Sequence, residues 1–435
     1  MKVLVLYQLH SANDRNTISE HLNSYRRYSD HHFHYYNVYK EIPKYLVNQK
    51  YDIIIFHYSY LAGERFLENE DKWLNKTNGA ENLKGYKIAI PQDEYDNTVR
   101  LCDFFEKVNV KTVYTCFTRS IDIKNVYLKN IKRDIEFKQT WTGFVDDKTK
   151  NNIFQDIKPL RDRKIDIGYR ARKLPAYFGR HGQLKFELVN IFTEFLKDTD
   201  LVYDINNTNN HFNDEDKNQV KMGDSWLEFL LNCKAFIGCE GGSSLLDFDG
   251  DIKKKVLSYN EKFPDASFDE IEKNCFPGQD FNIEGYMLSP RHFECATTKT
   301  LQILVEGYYG NVFKPNIHYI ELKRDFSNIS EVVEKLKDVD YCQKIVDKAY
   351  EDIVQSGLYT YRKYVFDIFK QFEKNKYTKP DFKFKVLKNL LELRNWFVLN
   401  LNNINGVIIP VLVFKTYLTQ KFHENAQKIK KIISS

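Results

Sequence analysis

The segment SPRHFECATTKTLQILVEG, residues 289–307, brings an arginine and two glutamates together in a helix-then-strand pattern. Pro290 is typical of the first position of a helix, so Arg291 and Glu294 are expected one turn apart on the same side of it. A guanidinium group binds phosphate oxygens, and a carboxylate accepts hydrogen bonds from ribose-type hydroxyls. We predict that Arg291 and Glu294 do this chemistry, with Glu306 facing the same space from the end of the next strand. The alternative is a plain intrahelical pair.

A basic segment precedes this one in the chain. Residues 161–185 hold 8 Lys or Arg against 2 Asp, and they include the strand-like run KIDIGY. A strand that leads into an Arg-rich turn and a helix N-terminus combines guanidinium groups with free backbone N–H groups, which suits phosphate oxygens. The pattern predicts a pyrophosphate-binding corner, and a solvated basic surface is the alternative.

A glycine- and serine-rich loop, EGGSSLLDFDGD, follows the run KAFIGC. Its paired glycines permit close approach of the backbone to a ligand, and its serines supply hydroxyl donors. The same glycines could serve only a turn. The run DFDGD lacks the alternating ligands and the terminal glutamate of a calcium loop, so we predict no metal site here.

Polar groups also follow the strand-like runs of the first third of the chain. They are His10 and the runs HYS (57–59) and QDEYD (92–96). Activation of a hydroxyl group needs an imidazole or a carboxylate within hydrogen-bond reach, so His57, Asp93 and Glu94 are the candidates for a catalytic base. The sequence contains no glycine-rich dinucleotide motif, no P-loop and no nucleophile elbow.

Short apolar runs alternate with helix-length segments, and these elements must position the polar groups. The runs lie at 2–8, 33–39, 51–59, 86–92, 110–116, 164–169, 201–205, 234–239, 301–306 and 318–323. Continuous apolar strands separated by helices indicate parallel sheets covered on both faces. We predict an α/β fold with two Rossmann-like, doubly wound domains that face a cleft, and with C-terminal helices. Ligands are expected at the carboxyl ends of the strands.

The polar run DDKTKNN interrupts the alternation at 146–152 and marks a domain boundary. The predicted units are an N-terminal domain (1–155), a C-terminal domain (156–345) with an insertion at 251–285, helices that cross back to the first domain (346–373), and a basic amphipathic helical tail (374–435).

Composition sets limits on the class of protein. At 435 residues and 42% hydrophobic residues, the chain can form two cores and is not a disordered protein. Its seven cysteines are scattered and never spaced as CxxC, which argues for reduced thiols in a cytoplasmic protein and against a zinc site. The run KVLVLYQ after Met1 lacks the pattern of a signal peptide.

The tail carries the basic character of the chain. Residues 374–435 hold 12 Lys or Arg against 3 Asp or Glu, mixed with Leu, Ile, Phe and Trp. This pattern predicts either a helix that lies on a membrane surface or a helix that packs on the core or on a second subunit. The apolar stretch 396–414 contains four Asn, a Gly and a Pro, so we do not expect it to span a membrane.

Four segments occur in an order that is similar to bacterial glycosyltransferases of the GT-B fold. They are DIGYRARKLPAYFGRHGQLK, FIGCEGGSSLLDFDG, SPRHFECATTKTLQILVEGYYG and AYEDIVQSGLYTYRKYV. In particular, they resemble the group-1 or CgeB-like proteins of surface-polysaccharide clusters. The resemblance covers most of residues 1–372, is strongest over 164–355, and does not include the tail.

The resemblance implies a nucleotide-sugar donor in the C-terminal domain and an acceptor in the N-terminal domain. It implies no metal, because basic side chains and helix dipoles neutralise the diphosphate. Retaining enzymes of this kind carry two glutamates separated by seven residues; Glu294 stands at the second position, and Tyr286 occupies the first. An inverting mechanism with His57, Asp93 or Glu94 as the base therefore stays open. The candidate donor-binding residues are Tyr169, Arg170, Arg172, Lys173, Gly242, Ser243, Ser244, Ser289, Arg291, Glu294 and Glu306.

The functional prediction is metal-independent transfer of a sugar from a nucleotide sugar to a bacterial surface glycan, such as capsule or O-antigen, free or lipid-linked. No cofactor and no nucleic acid are expected. Two alternatives remain, a nucleotide-sugar epimerase of the same fold and a non-catalytic glycan-binding or scaffold protein. We expect a cytoplasmic protein, held at the inner face of the membrane if the tail binds lipid.

Overall fold

The first half of the chain forms a six-stranded parallel sheet. The computed structural model describes residues 1–10, 16–67, 70–208, 224–375 and 377–401. The strands are β1 (Lys2–Tyr7), β2 (His32–Asn37), β3 (Lys50–Phe56), β4 (Lys84–Ala89), β5 (Thr112–Thr115) and β6 (Glu136–Gln139). They lie in the order β2-β1-β3-β4-β5-β6 and are all parallel. In β1, Leu4 and Leu6 face one hydrophobic cluster while Val3 and Val5 face another. Because both faces are covered, the strand is apolar throughout rather than alternating.

Helices connect these strands and cover the two faces of the sheet. They are α1 (Asn16–Arg27), α2 (Lys44–Val47), α3 (Tyr58–Leu61), α4 (Glu70–Thr77), α5 (Thr98–Val108), α6 (Ser120–Ile123) and α7 (Asp147–Ile153). Short 3-10 or π turns lie at Gly63–Phe66, Ala80–Asn82, Lys124–Leu128 and Phe154–Asp156.

The second half forms a five-stranded parallel sheet. Its region of the chain contains β7 (Ile165–Arg172), β8 (Tyr203–Thr208), β9 (Cys233–Gly238), β10 (Gly241–Ser243), β11 (Gly285–Met287), β12 (Leu301–Val305) and β13 (Ile320–Leu322). The parallel sheet has the order β13-β12-β9-β7-β8, and β10 pairs with β11 in a small antiparallel sheet. Both large sheets are doubly wound, and the direction of winding reverses between β1 and β3 and between β7 and β9. Such switch points are where open α/β sheets bind ligands.

Helices of the second half surround its sheet and return to the first. They are α8 (Gly179–Leu196), α9 (Asp224–Asn232), α10 (Asp251–Lys262), α11 (Phe268–Cys275), α12 (Pro290–Thr297), α13 (Ile329–Lys335), α14 (Val339–Ala349), α15 (Tyr361–Lys370) and α16 (Phe382–Leu401). Turns lie at Leu160–Asp162, Ala176–Phe178, Tyr309–Asn311 and Tyr350–Gln355.

The insertion after β10 has a small core of its own and touches the first half of the chain. Its helices α10 and α11 bury Val256 and Ile271 against Leu245. Just before α10, the Asp247 N–H donates to the Tyr95 carbonyl oxygen at 2.9 Å, and the Asn97 N–H donates to the Asp247 carbonyl oxygen at 2.8 Å. The Lys253 ammonium pairs with Asp96 at 3.1 Å. The insertion therefore joins the two sheets at one side.

Helix α15 crosses back onto the N-terminal sheet. Its Val365 and Ile368 belong to the same buried cluster as Val3 and Val5. The hydroxyl groups of Tyr25 and Tyr364 lie 2.9 Å apart in this interface. The architecture confirms the predicted fold class, with two Rossmann-like domains that face each other and C-terminal helices.

The last described helix, α16, packs along β2 at the edge of the N-terminal sheet. Phe384, Leu391 and Val398 are buried there, and the Asn395 side chain donates to the Tyr35 carbonyl oxygen at 2.7 Å. Residues 382–401 thus follow the core-packing alternative for the tail, while residues 402–435 lie outside the described part of the chain. Among the helices that the structure describes, none has the length and apolar character needed to cross a membrane.

Candidate active site

A cavity of about 720 Å³ lies between the carboxyl ends of the two sheets, at both switch points. Its N-terminal wall consists of Gln8, Leu9, His10, Thr17, Ile18, Tyr58, Ser59, Ala62, Gly63, Gln92, Asp93, Tyr95 and Thr142. Its C-terminal wall consists of Tyr169, Arg170, Ala171, Arg172, Leu174, Phe178, Lys185, Phe236, Gly238, Cys239, Gly241, Gly242, Met287, Ser289, Pro290, Arg291, His292, Gln302 and Leu304. The volume suits a substrate of nucleotide size.

Four cations line the C-terminal wall, namely Arg170, Arg172, Lys185 and Arg291. The Arg291 guanidinium lies 5.2 Å from the Trp226 ring centroid and 5.4 Å from that of Phe236, and it donates to the Arg170 carbonyl oxygen at 3.0 Å. Within the described residues it forms no ion pair with Glu294, so the intrahelical alternative is not observed. The aromatic rings fix the plane of the guanidinium beside the cavity.

Lys185 on α8 is a cation that the sequence analysis did not single out. It is half-buried, and burial lowers the pKa of its ammonium group. The Tyr169 hydroxyl donates to the Lys185 carbonyl oxygen at 3.2 Å, which ties α8 to β7. The basic run 161–185 contained the signal, but which of its members faces the cavity depends on the rotation of α8.

Two other members of the basic run have different roles. The Arg170 guanidinium pairs with Asp204 at 2.7 Å and also donates to the Asp204 carbonyl oxygen, so its charge is directed toward β8. The Lys173 ammonium lies 5.3 Å from the Phe186 ring centroid, and Lys173 is not among the residues that line the cavity.

The N-terminus of α8 is capped from within the protein. Asp280 accepts from the Arg180 N–H at 3.0 Å, and the Ser244 hydroxyl oxygen accepts from the His181 N–H at 3.1 Å. The Ser244 hydroxyl in turn donates to Asp280 at 2.7 Å. The prediction of free N–H groups for phosphate is therefore wrong for Arg180 and His181, whose N–H groups bind Asp280 and Ser244 instead.

The glycine- and serine-rich loop serves mainly the fold. Gly242 lines the cavity with φ near +95°, and a Cβ there would meet the Gly285 carbonyl oxygen at 2.0 Å, so the close β10–β11 pairing requires glycine. Ser243 is fully buried, and its hydroxyl oxygen lies 2.9 Å from the Phe178 carbonyl oxygen and 2.8 Å from the Leu245 carbonyl oxygen, one of which accepts its single proton. Neither Ser243 nor Ser244 lines the cavity.

Helix α12 begins as the sequence predicted, with Ser289 as its N-cap and Pro290 at its first position. Ser289 accepts from the Arg291 N–H at 3.3 Å and lines the cavity, so it orients the first turn that carries Arg291.

The two glutamates of the opening segment do not line the cavity. Glu294 accepts from the Trp226 indole N–H at 2.8 Å, and burial raises the pKa of its carboxyl group. Glu306 is exposed, beyond the end of β12. Glu294 thus orients the Trp226 ring, over which the Arg291 guanidinium lies. Glu306 does not face the same space as Arg291 or Glu294.

Asp93 is the one carboxylate among the described residues that line the cavity. It is exposed, has φ near +50°, and accepts from the Tyr95 hydroxyl at 2.8 Å. A left-handed conformation at a non-glycine residue costs free energy and persists only where the surroundings impose it.

Glu94 and His57, the other two predicted bases, are fully buried and are not among the cavity residues. Glu94 accepts from Thr115, from Tyr127 and from the Cys116 N–H; burial outweighs these three donors and raises the pKa of its carboxyl group to about 7. Burial holds the pKa of His57 well below its usual range. The structure thus corrects both assignments, since neither group reaches the space where a hydroxyl would bind.

Ser59 lies between the buried His57 and the cavity. The His57 Nδ1 atom lies 2.8 Å from the Ser59 hydroxyl oxygen, which lines the N-terminal wall. The sequence analysis noted the HYS run without assigning Ser59 a role, because the run shows no sign of which side chain the β3–α3 turn exposes.

No group of three His, Cys, Asp or Glu side chains suited to a metal ion occurs in the described ranges. No protein-family model and no curated protein matches the chain.

Several solved structures are similar in architecture. Anabaena HepE in complex with UDP and glucose has a TM-score of 0.47 at 8% identity, over 86% of this chain and 100% of that one. An alpha-glucosyltransferase in complex with UDP has a TM-score of 0.48 at 9% identity, over 86% and 99%. Sucrose-phosphate synthase from Thermosynechococcus elongatus has a TM-score of 0.45 at 10% identity, over 86% and 98%. The function proposed below rests on the residues of the cavity.

Proposed function

We propose that the protein is a glycosyltransferase that moves a sugar from a nucleotide-sugar donor to an acceptor hydroxyl group, without a metal ion. The division of charge across the cavity carries this proposal. Arg172, Lys185 and Arg291 lie on the C-terminal wall, and Asp93 lies on the opposite one. Cations suit a diphosphate that gains charge as it leaves, and a carboxylate suits a hydroxyl group that loses its proton.

In this proposal Asp93 is the base. It takes the proton of the acceptor hydroxyl as that oxygen bonds to the anomeric carbon, while the bond from that carbon to the diphosphate oxygen breaks. The electron pair of the broken bond stays on the nucleoside diphosphate, whose charge Arg172, Lys185 and Arg291 neutralise. Direct displacement inverts the configuration at the anomeric carbon. Tyr286, which replaces the first glutamate of the retaining pattern, is buried and stacks on His181 at 4.0 Å between ring centroids, in agreement with this mechanism.

The acceptor that we propose is a bacterial surface glycan, on the basis of the sequence resemblance. A cytoplasmic enzyme at the inner membrane face would meet a lipid-linked form of such a glycan. The outer side of α16 offers exposed Phe382 and Trp396 beside Lys383, Lys385 and Lys388. Aromatic and basic side chains of this kind suit the surface of an anionic membrane.

Donor binding is tested with a panel of nucleoside diphosphates and nucleotide sugars, added to the full chain in a thermal-shift assay. We expect at least one nucleotide to raise the melting temperature, and we expect Arg291→Ala to reduce that rise. If no nucleotide stabilises the protein and Arg291→Ala changes nothing, the proposal is wrong.

Release of nucleoside diphosphate, with and without added glycans, separates the alternatives. Transfer requires an acceptor, an epimerase converts the nucleotide sugar alone, and a scaffold binds without releasing diphosphate.

For the membrane, Phe382→Ser combined with Trp396→Ser should weaken binding to anionic vesicles, whereas Leu358→Ser, an exposed leucine outside α16, should not. If the wild type, the double variant and Leu358→Ser bind the vesicles equally, the membrane proposal is wrong.

A further inference from the structure

Tyr95 connects the Asp93 carboxylate to the C-terminal domain. The Tyr95 hydroxyl donates to this carboxylate at 2.8 Å. From the C-terminal domain, the Asp247 N–H donates to the Tyr95 carbonyl oxygen at 2.9 Å, and the Phe178 ring meets the Tyr95 ring edge-on with 5.9 Å between centroids. Because Tyr95 is buried and held at its backbone and at its ring, its hydroxyl fixes the direction of the carboxylate.

The two residues after this tyrosine are tied to the same loop of the C-terminal domain. The Asn97 N–H donates to the Asp247 carbonyl oxygen at 2.8 Å, and Asp96 and Asp247 pair as in a parallel sheet. The Lys253 ammonium donates to the Asp96 carboxylate at 3.1 Å and to the Phe66 carbonyl oxygen at 3.1 Å. Asp96 is buried, so loss of Lys253 would leave an unpaired carboxylate and loosen the loop.

Asp247 also connects these contacts to helix α10 and to the donor side of the cavity. Its carboxylate accepts from the Ile252 N–H at 3.1 Å and from the Lys253 N–H at 2.9 Å, which fixes the first turn of the helix that carries Lys253. Gly242, shortly before Asp247 in the chain, lines the C-terminal wall. A single stretch of chain therefore contacts both the wall that carries the cations and the loop that carries Asp93.

We propose that Tyr95 orients the Asp93 carboxylate for catalysis and that the C-terminal domain holds Tyr95 in place. Asp247 and Lys253 are the positioning residues on the side of that domain. This inference rests on the proposed function and gives the insertion a part in it. Proton removal then depends on the domain that binds the nucleotide sugar, because the base keeps its geometry only while that domain contacts the loop.

The measured quantities are kcat and the nucleotide Kd of the full chain. The assay is release of nucleoside diphosphate. It uses the nucleotide sugar that gives the largest thermal shift and the added glycan that supports the fastest release. Displacement of a catalytic group by about 1 Å can reduce the rate about 100-fold, whereas the cations that bind the diphosphate stay where they are. A positioning role therefore predicts a lower kcat at an unchanged Kd.

Lys253→Met tests the contact from the insertion. We expect kcat to fall about tenfold while the nucleotide Kd stays within about twofold of wild type. Lys254→Met is the matched control and should keep the wild-type kcat, since it removes the same charge from the next residue, which is exposed and pairs with Asp251. Lys253→Arg keeps the charge and should retain most of the kcat. Equal kcat values for Lys253→Met and Lys254→Met would overturn the inference.

Tyr95→Phe removes the hydroxyl group and keeps the ring against Phe178. We expect kcat to fall about 10- to 100-fold, again with the Kd retained. Tyr95→Phe and Lys253→Met are then each combined with Asp93→Asn. If both residues act through Asp93, neither should lower kcat by more than about a further twofold in that background. Full additional losses there would show that the two residues only support the fold, and would overturn the inference.

The outcomes also separate this inference from the proposed function. Absence of nucleotide binding would overturn both. Transfer with a wild-type kcat in Tyr95→Phe and in Lys253→Met would overturn this inference alone. Wild-type kcat in Asp93→Asn would remove both the base and the residues proposed to position it, while glycosyl transfer itself would stand.

Discussion

The Arg65 guanidinium donates to the Asp93 carbonyl oxygen at 3.2 Å from behind the N-terminal wall of the cavity. It also donates to the carbonyl oxygens of Gln92 at 2.8 Å and of Leu61 at 2.8 Å, and it contacts that of Asp96. Arg65 is fully buried, and its fork of donors spans both sides of Asp93. The left-handed backbone at Asp93 costs roughly 1–3 kcal/mol, and this clamp is what holds it.

Replacement of Arg65 by lysine should reduce turnover without weakening nucleotide binding. A single ammonium group cannot reach four carbonyl oxygens, so the 92–96 loop should relax and Asp93 should lose its position. We expect kcat to fall about 10- to 100-fold, with the nucleotide Kd unchanged. Steady-state kinetics and calorimetry measure the two quantities; an unchanged kcat would show that the clamp does not position Asp93.

Asp93→Asn should remove the base and keep the shape of the wall. Loss of a general base costs about 10²–10⁴ in rate, so we expect kcat to fall within that range while nucleotide affinity is retained. Asp103→Asn, on the exposed side of α5, is the matched control and should behave as wild type. Activity of Asp93→Asn above one tenth of wild type would rule Asp93 out as the base.

Lys185→Met should weaken the binding of nucleoside diphosphates. Loss of a charge-assisted contact to phosphate is expected to raise the Kd about 10- to 100-fold, and the remaining affinity should depend less on salt. Lys173→Met changes the same charge outside the cavity lining and should leave the Kd as it is. Equal effects of the two substitutions would mean that net charge alone, and no local contact, governs binding.

The protein should lose stability as the pH falls below about 6.5, partly through His34. The His34 Nε2–H donates to the Phe384 carbonyl oxygen at 2.9 Å, its Nδ1 accepts from the Tyr51 hydroxyl at 2.8 Å, and burial lowers its pKa to about 4. The unfolded chain binds a proton near pH 6.5 while the folded chain does not, so the stabilisation present above pH 6.5 is lost progressively toward pH 4.

His34→Gln supplies one donor and one acceptor but no titratable group. We expect denaturant midpoints, measured from pH 7.5 to 5, to fall less steeply for this variant than for wild type. The buried His21, His57 and His292 also have lowered pKa values and will keep part of the slope. Identical slopes would show that His34 does not contribute.

Ten of the eleven strands in the two parallel sheets could be predicted from the sequence because continuous apolar runs depend on burial alone; the edge strand β6 is polar and has no buried residue, so it gave no such run. The roles of the polar residues that follow these strands could not be predicted in this way. Asp93 and Glu94 are adjacent and chemically alike, yet one lines the cavity and the other is buried, because a left-handed turn held by Arg65 separates them. No local pattern encodes a contact made by a residue almost thirty positions away.

Contacts between residues far apart in sequence also limit what could be predicted for the C-terminal wall of the cavity. Asp280 lies 100 positions from the α8 N-terminus that it caps, so the sequence suggested free N–H groups where the structure has a carboxylate. The pairing of β10 with β11 joins strands of only three residues across the insertion, which is too short for a periodic signal.

Among the described residues, backbone hydrogen bonds join the domains in two places. One is the pairing of Asp247 with residues 95–97, and the other is Val145, whose N–H donates to the Tyr359 carbonyl oxygen at 2.8 Å and whose carbonyl oxygen accepts from the Tyr361 N–H at 3.2 Å. Side chains add further contacts, since the Thr118 hydroxyl donates to the Tyr286 carbonyl oxygen at 3.1 Å and the Thr142 hydroxyl donates to the Leu288 carbonyl oxygen at 2.6 Å. A rotation that widens the cavity would have to break these two hydrogen bonds, so the contacts that shape the cavity also resist its opening.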